Sequence, residues 1–390
     1  MKSGHLIVVI SLLPMTLSAQ TEFFGYFETE QDLARISGQQ YNYGYSKLRL
    51  DMMAYPAESV TIGANLNIRR LSGQKTWNML DFLPKRIWEP VFGDSGEFPI
   101  TLADTLYLDN VFIKLNFPLF DITVGKQQIS LGTGYAWNPV DIFNIKELLD
   151  PTYEQAGVTA LRMELPLVGR SGLDLILVPE DSWENSAKMV QGKVGLGSFD
   201  LTANITEYKA PNPYWRLPID TTTPPSTHTV RQRIGGSLVG EVLGIGIWGE
   251  GLWDLKDQPI EFDEYLIGID HTFDFRTYLM VEYYHNGGGV ADRDSLQFSD
   301  FTYSLSGQSH SLMQDYAFVV VHHPLTDLIS LGLLGFANLN DQSYMVAPSL
   351  EWSAFENVNI SLLLSHAQGG KDSEFGMQEW GLRLRLRAYF

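Results

Sequence analysis

Residues 380–390 place apolar side chains at every second position, Trp380, Leu382, Leu384, Leu386, Ala388 and Phe390, with Arg383, Arg385 and Arg387 between them. Successive side chains of a strand leave on opposite faces, so this segment has one apolar face and one face of three guanidinium groups. The guanidinium face needs water and the apolar face needs lipid or a packed core. A barrel that spans a membrane around a wet lumen meets both demands, and the spacing predicts this segment as its closing strand.

Near the other end, Lys2 precedes an apolar run from Leu6 to Leu13 and the small residues Ser18 and Ala19. This pattern predicts a secretory signal peptide over 1–19, with residues 20–390 as one outer-membrane barrel. There is no cysteine, which excludes a lipoprotein signal, disulfides and thiolate metal sites. Beyond the signal, no apolar run reaches the roughly 20 residues of a membrane helix. A mean hydropathy of −0.07 fits strands whose lipid-facing and lumen-facing residues alternate. The formal charge of −19 argues against nucleic-acid binding and fits acidic outer loops.

Turn-forming clusters fall at 55–58, 118–121, 166–169, 196–198, 242–244, 273–275, 324–327 and 355–357. Longer polar stretches alternate with them at 31–42, 70–103, 132–152, 181–186, 210–228, 255–260, 287–310, 339–343 and 368–375. Eight short turns and nine long loops predict an all-β fold, a single transmembrane antiparallel β-barrel of about eighteen strands, with sixteen as the fallback. Short periplasmic turns, long outer loops and an even count put both termini in the periplasm. Alternation runs through Val60, Ile62, Ala64, Leu66 and Ile68 and through Leu48 and Leu50. On the wet face, Lys47, Arg49, Asp51, Arg69, Arg162, Glu164, Arg231, Arg233, Arg383, Arg385 and Arg387 are expected to line the lumen, with Glu250 and Glu282 among the opposing acids. Closure between the first and last strands predicts that Tyr26, Glu28 and Glu30 look inward toward Arg383 and Arg385.

The stretch 125–143 is the most distinctive, with Gly125-Lys126-Gln127, the Gly132 and Gly134 pair, and Asn138-Pro139 followed by Asp141 and Phe143. It resembles the strand-then-loop signature of porin-like outer-membrane barrels, the group that includes alginate-export-type channels. The resemblance implies an outer-membrane channel, and a barrel-assembly machinery that reads the end of the chain at Phe390. Physically, Asn138 is placed to cap a short helix starting at Pro139, with Asp141 near its positive end and Ile142, Ile145 and Leu149 on one face. Such a helix either enters the mouth or lies on the rim.

The 70–103 insertion carries Trp77, Phe82, Trp88, Phe92 and Phe98. So many apolar groups predict an ordered lid or an inward constriction, as against a loop facing lipopolysaccharide. Lys85 and Arg86 would then stand against Asp81, Glu89 and Asp94 at a pore eyelet. Enzyme signals fail on context. Gly244 to Gly249 match a dinucleotide fingerprint but read as a strand, with no helix N-terminus for a phosphate. Ser309-His310-Ser311 and His285-Asn286 supply no complete nucleophile, base and orienter. Asp292 and Asp294 are too few for calcium, and His322 and His323 point apart.

The expectation is a channel for passive diffusion of small polar or charged solutes, not an enzyme, with no cofactor and no metal. Its partners would be outer-membrane lipid, lipopolysaccharide and the assembly machinery, with oligomers open. The alternative is a barrel for polysaccharide or protein export or surface assembly.

Overall fold

A computed structural model describes residues 20–94, 96–144, 146–147, 149, 154–210, 229–255, 262–305, 311–370 and 372–390. The expected signal peptide, most of the 210–228 loop, Ile145 and residues 306–310 lie outside the described residues.

In chain order the strands are β1 (Gln20–Ile36), β2 (Gln39–Ala57), β3 (Val60–Gly73), β4 (Thr76–Asn78), β5 (Pro99–Thr101), β6 (Thr105–Asn116), β7 (Asp121–Gln127), β8 (Val158–Pro166), β9 (Gly172–Val178) and β10 (Ala187–Leu196). They continue as β11 (Phe199–Ala210), β12 (Thr229–Val242), β13 (Ile245–Asp254), β14 (Phe262–Thr272), β15 (Tyr278–Asn286), β16 (Asp315–Pro324), β17 (Ile329–Asn338), β18 (Ser343–Phe355), β19 (Val358–Gln368) and β20 (Gln378–Tyr389). β4 and β5 make a separate small hairpin, and the other eighteen form one sheet in which each strand pairs antiparallel with its sequence neighbours. β1 pairs antiparallel with β20, so the sheet closes on itself and has no edge.

All eight expected short turns are present. The 31–42 stretch was expected to be a longer connection; instead β1 and β2 stay paired down to Ile36 and Gln39. Ser37 and Gly38, at φ 49° and 78°, form a two-residue turn whose twist matches its strands, so the ladder runs unbroken to the tip. Leu243 and Gly244 repeat the device at φ 53° and 78°.

At the seam Glu28, Glu30 and Asp32 lie opposite Arg387, Arg385 and Arg383. The pairs close at 2.5 Å (Arg387 with Glu28), 2.5 Å (Arg385 with Glu30) and 2.9 Å (Arg383 with Asp32). One position out of phase, Thr29 and Gln31 are exposed polar residues toward one end of β1, while Phe27 and Leu384 are apolar, face outward and are half exposed. Such a belt is what a lipid-facing wall requires. Of the 244–249 glycines, Gly246 and Gly249 sit inside β13, paired on both sides, and Gly244 belongs to the turn before it. Buried apolar clusters lie where loops pack against the inner wall, since the barrel has no second sheet to pack on.

Candidate functional site

Between β7 and β8 the described residues of 128–157 lie off the wall and reach both sides of the barrel. Gly132 has φ 76°, and a Cβ there would run into the Asn138 side chain and the Glu250 carboxylate. At Gly134 a Cβ would collide with the Trp137 carbonyl and approach the Leu266 side chain to 2.5 Å. The two glycines therefore let bare backbone press against the far wall.

Its N–H groups find two carboxylates there. Glu250 on β13 accepts from the N–H of Thr133, of Gly134 at 2.6 Å and of Val140 at 3.3 Å. Glu282 on β15 accepts from Tyr135 at 2.7 Å, Ala136 at 2.9 Å and Trp137 at 3.2 Å, and from the Trp248 indole at 2.7 Å. Buried carboxylates filled by N–H donors make strong, short bonds, and either one emptied would leave three main-chain donors stranded. Trp137 adds packing, with its ring stacked on Tyr284 at 5.0 Å and its indole N–H given to Ser311 at 3.0 Å.

The return limb reaches the opposite wall. Glu154 meets Lys47 at 2.6 Å, Arg49 at 2.6 Å and the Tyr26 hydroxyl. Arg383 donates to the Leu149 carbonyl at 3.4 Å. β2 and β13 are nine strands apart around the ring of eighteen, so a segment bound to both passes through the lumen. The side chains that meet it define the inner face.

No helix starts at Pro139. Asn138 instead donates its side-chain N–H to the Leu131 carbonyl, and Asp141 accepts from the N–H of Leu131 at 3.2 Å, Phe143 at 3.0 Å and Asn144 at 3.2 Å. The expected capping groups are spent folding the segment back on itself, a competition these residue types often win. Ile142 and Phe143 pack on Ile129, Leu131 and Val140 against β8, β9 and β10, and no helical stripe forms among the described residues. Burial pushes the Asp141 carboxyl up against the pull of its N–H donors, and burial lowers Lys146, whose ammonium donates to the Gly134 carbonyl. Burial also works to raise Glu154, but Lys47, Tyr26 and Arg49 outweigh it and hold its carboxyl below the usual range.

Open space bordered by charged side chains remains on both sides of the crossing. Toward β8–β12 a cavity of about 600 Å³ is lined by Arg162, Glu164, Asp174, Lys193, Asp200 and Thr133. On the seam side three smaller spaces of about 260, 260 and 380 Å³ share residues: Arg383 borders the first two, and Arg387 the second and third. They follow the arginine column of β20 down the wall.

The 74–104 insertion forms a roof. Trp77 and Phe82 stack on each other at 5.7 Å and pack on Tyr41, and Leu80, Leu83 and Ile87 bury against Leu296 and Phe298 of the β15–β16 loop. Within it, helix α1 (Lys85–Phe92) carries Lys85, which is exposed and bridges to Asp94 at 2.8 Å and Glu89 at 3.4 Å. Arg86 donates to the Arg293 carbonyl and lies 3.8 Å from Asp372. Asp81 takes the Tyr41 hydroxyl. These five charges thus belong to the roof and its joints with the β15–β16 and β19–β20 loops.

Lys47, Arg49, Asp51 and Arg69 stand on the inner face beside Glu154; Arg162 pairs with Asp174 at 2.5 Å and lies beside Glu164. Arg231 and Arg233 approach Asp254 at 3.8 and 3.9 Å. Phe390 exchanges main-chain hydrogen bonds with Gly25 and is 61% exposed. Sequence reasoning missed the roles of Glu154, Lys146 and Trp137, and of Glu250 and Glu282 as anchors. The only pointer was the glycine pair, since backbone approach needs such residues.

No family model matches the chain, and no curated protein is significantly similar to it. Among solved structures it is similar to a protein described under "Asymmetric conductivity of engineered proteins", at 10% identity, 95% of this chain, 100% of that one and a TM-score of 0.48. A mutant porin of Rh. blastica is 12% identical over 95% of this chain and 100% of its own, with a TM-score of 0.47. A triple mutant of Rhodopseudomonas blastica porin is 11% identical over the same shares, with a TM-score of 0.48.

Proposed function

We propose that the chain is an outer-membrane channel through which small polar or charged solutes diffuse passively beside a fixed mid-lumen crossing. The observation that carries this reading is the crossing itself, a segment latched to both walls that leaves open space bordered by charged side chains on either side. A fixed crossing narrows a pore without needing energy or a partner, and charges lining narrow space act on a permeating ion with little screening. In this reading Lys85, Arg86, Asp81, Glu89 and Asp94 influence the entrance, and the residues of the crossing set the narrow part.

Purified protein in planar bilayers is expected to give steady single-channel steps in potassium chloride, with a reversal potential under a salt gradient that reports the sign of selectivity. A folded barrel that never conducts would sink the channel reading and favour an export or assembly role that needs a partner. For assembly, Phe390 and the outward apolar face of β20 support recognition by the barrel-assembly machinery. Deleting Phe390 is expected to lower the amount of heat-modifiable folded barrel in cells, and a normal amount would refute that role.

A further inference from the structure

On the seam side of the crossing, the polar cavity of about 260 Å³ is walled by four tyrosines and eight charged residues. Most of those charges are already matched: Glu28 by Arg387, Glu30 by Arg385, and Glu154 by Lys47 and Arg49. Two are not. Arg69 on β3 lies opposite Lys47, which is engaged by Glu154. The Arg69 guanidinium rests over the Tyr45 ring at 4.4 Å, makes no ion pair among the described residues, and keeps its Nε buried without a hydrogen-bond partner. Glu147, from the crossing segment, lines the same cavity, is exposed, and likewise has no ion pair or hydrogen bond among the described residues.

Unmatched polar groups continue from there. Two positions along the same face of β3, Asn67 is wholly buried with neither amide atom bonded. Tyr43 and Tyr107 line the cavity with hydroxyls that bond to no described group. A protein tends to satisfy buried polar groups, so the Arg69 Nε and the Asn67 amide, buried and left open beside the exposed Glu147, mark a place where something else supplies the partners. Arg69 is held flat by the ring beneath it, which leaves the edge of its planar fork free for a carboxylate.

We propose that this cavity binds a small zwitterion of the α-amino acid class, its carboxylate on Arg69 and its ammonium toward Glu147. A simple anion satisfies Arg69 but leaves its charge near Glu147, and a simple cation has the reverse difficulty. Only a solute carrying both charges meets both groups, and the space admits one with a small side chain. The proposal rests on the channel reading and deepens it by naming a solute class.

The test is saturation-transfer NMR on the full folded chain in detergent, with L-alanine, acetate and ethylamine as probes. Alanine is expected to bind saturably and more tightly than either single-charge probe. Arg69→Gln is expected to weaken alanine binding about tenfold or more, the scale of a lost charge-assisted pair. Glu147→Gln is expected to weaken alanine and strengthen acetate. Heat-modifiable mobility confirms that each variant is folded. Acetate binding as well as alanine, or both variants binding alanine like the wild type, would overturn the proposal. Binding is read here without transport, so alanine bound by a chain that does not conduct keeps the site and removes the channel, and a conducting chain that ignores alanine does the opposite.

Discussion

Replacing Glu250 and Glu282 together by alanine is expected to open the lumen, read as a several-fold rise in single-channel conductance with the barrel still folded. The two carboxylates hold six main-chain N–H groups of residues 133–140 against the wall. Removing them strands those donors in a buried place, at roughly 1–3 kcal/mol for each unsatisfied group. That exceeds what the Trp137 stacking supplies, about 0.5–1.5 kcal/mol beyond its area, so residues 133–137 gain by moving off β13 and β15 toward water, while Glu154 and the packing on β8–β10 still hold the other parts of the segment. The wall itself keeps its ladder, because both glutamates point inward and neither main chain changes. Gly132→Val gives an independent route to the same end, since its Cβ has no room beside Asn138 and Glu250 and its φ of 76° is strained for a branched residue. Unchanged conductance in both folded variants would place the solute path away from the crossing.

The wall was far more legible in the sequence than what fills it. Alternation and turn residues are local signals, and they located the eight short turns and turned Glu28 and Glu30 inward toward the β20 arginines; the expected partners were Arg383 and Arg385, whereas the register pairs Glu28 with Arg387 and Glu30 with Arg385. A strand with one wet face tolerates a single register, because a shift of one residue exchanges every inward and outward side chain. The crossing is different. Its anchors join backbone N–H groups to side chains on strands 110 or more positions away in the chain, and a backbone N–H carries no residue-specific mark. Asn138, Pro139 and Asp141 have the composition of a helix start, yet the same side chains serve equally well to tie a compact loop. Which use prevails depends on Glu250 and Glu282 across the lumen. The roof shows the intermediate case, in which its aromatic content announced an ordered insertion but not that Leu296 and Phe298 would complete its core.

Glu374 is expected to make the loops packed around it lose stability as pH rises toward neutrality. It sits between β19 and β20, where its Oε2 accepts from the Tyr316 hydroxyl and the Asn338 side chain, each at 2.7 Å, and its own N–H donates to Asp341 at 2.7 Å. Asp341 in turn accepts from the N–H and hydroxyl of Ser343 at 2.8 and 2.6 Å. Burial pushes the Glu374 carboxyl up to about 7; the Tyr316 and Asn338 bonds pull the other way, and the Asp341 charge adds to the rise. A carboxyl whose pKa is higher in the folded chain than in the unfolded one binds its proton more tightly when folded. Its contribution is therefore fully present below about 4.5, shrinks as pH rises, and is gone above about 7. One pKa unit is worth about 1.4 kcal/mol. Glu374 keeps part of its surface accessible, so an effect on the order of 1–2 kcal/mol is expected, short of the full value. Urea unfolding of the barrel in lipid vesicles at pH 5 and pH 8 measures it, with Glu374→Gln as the reference that cannot ionise. Wild type should lose more stability than the variant over that interval, which cancels the other carboxylates common to both. Parallel losses would mean that Tyr316 and Asn338 keep Glu374 ionised throughout. If the difference appears, the β17–β18 and β19–β20 loops loosen first. Asp372 of the latter, 3.8 Å from Arg86, would carry that change to the roof over the entrance.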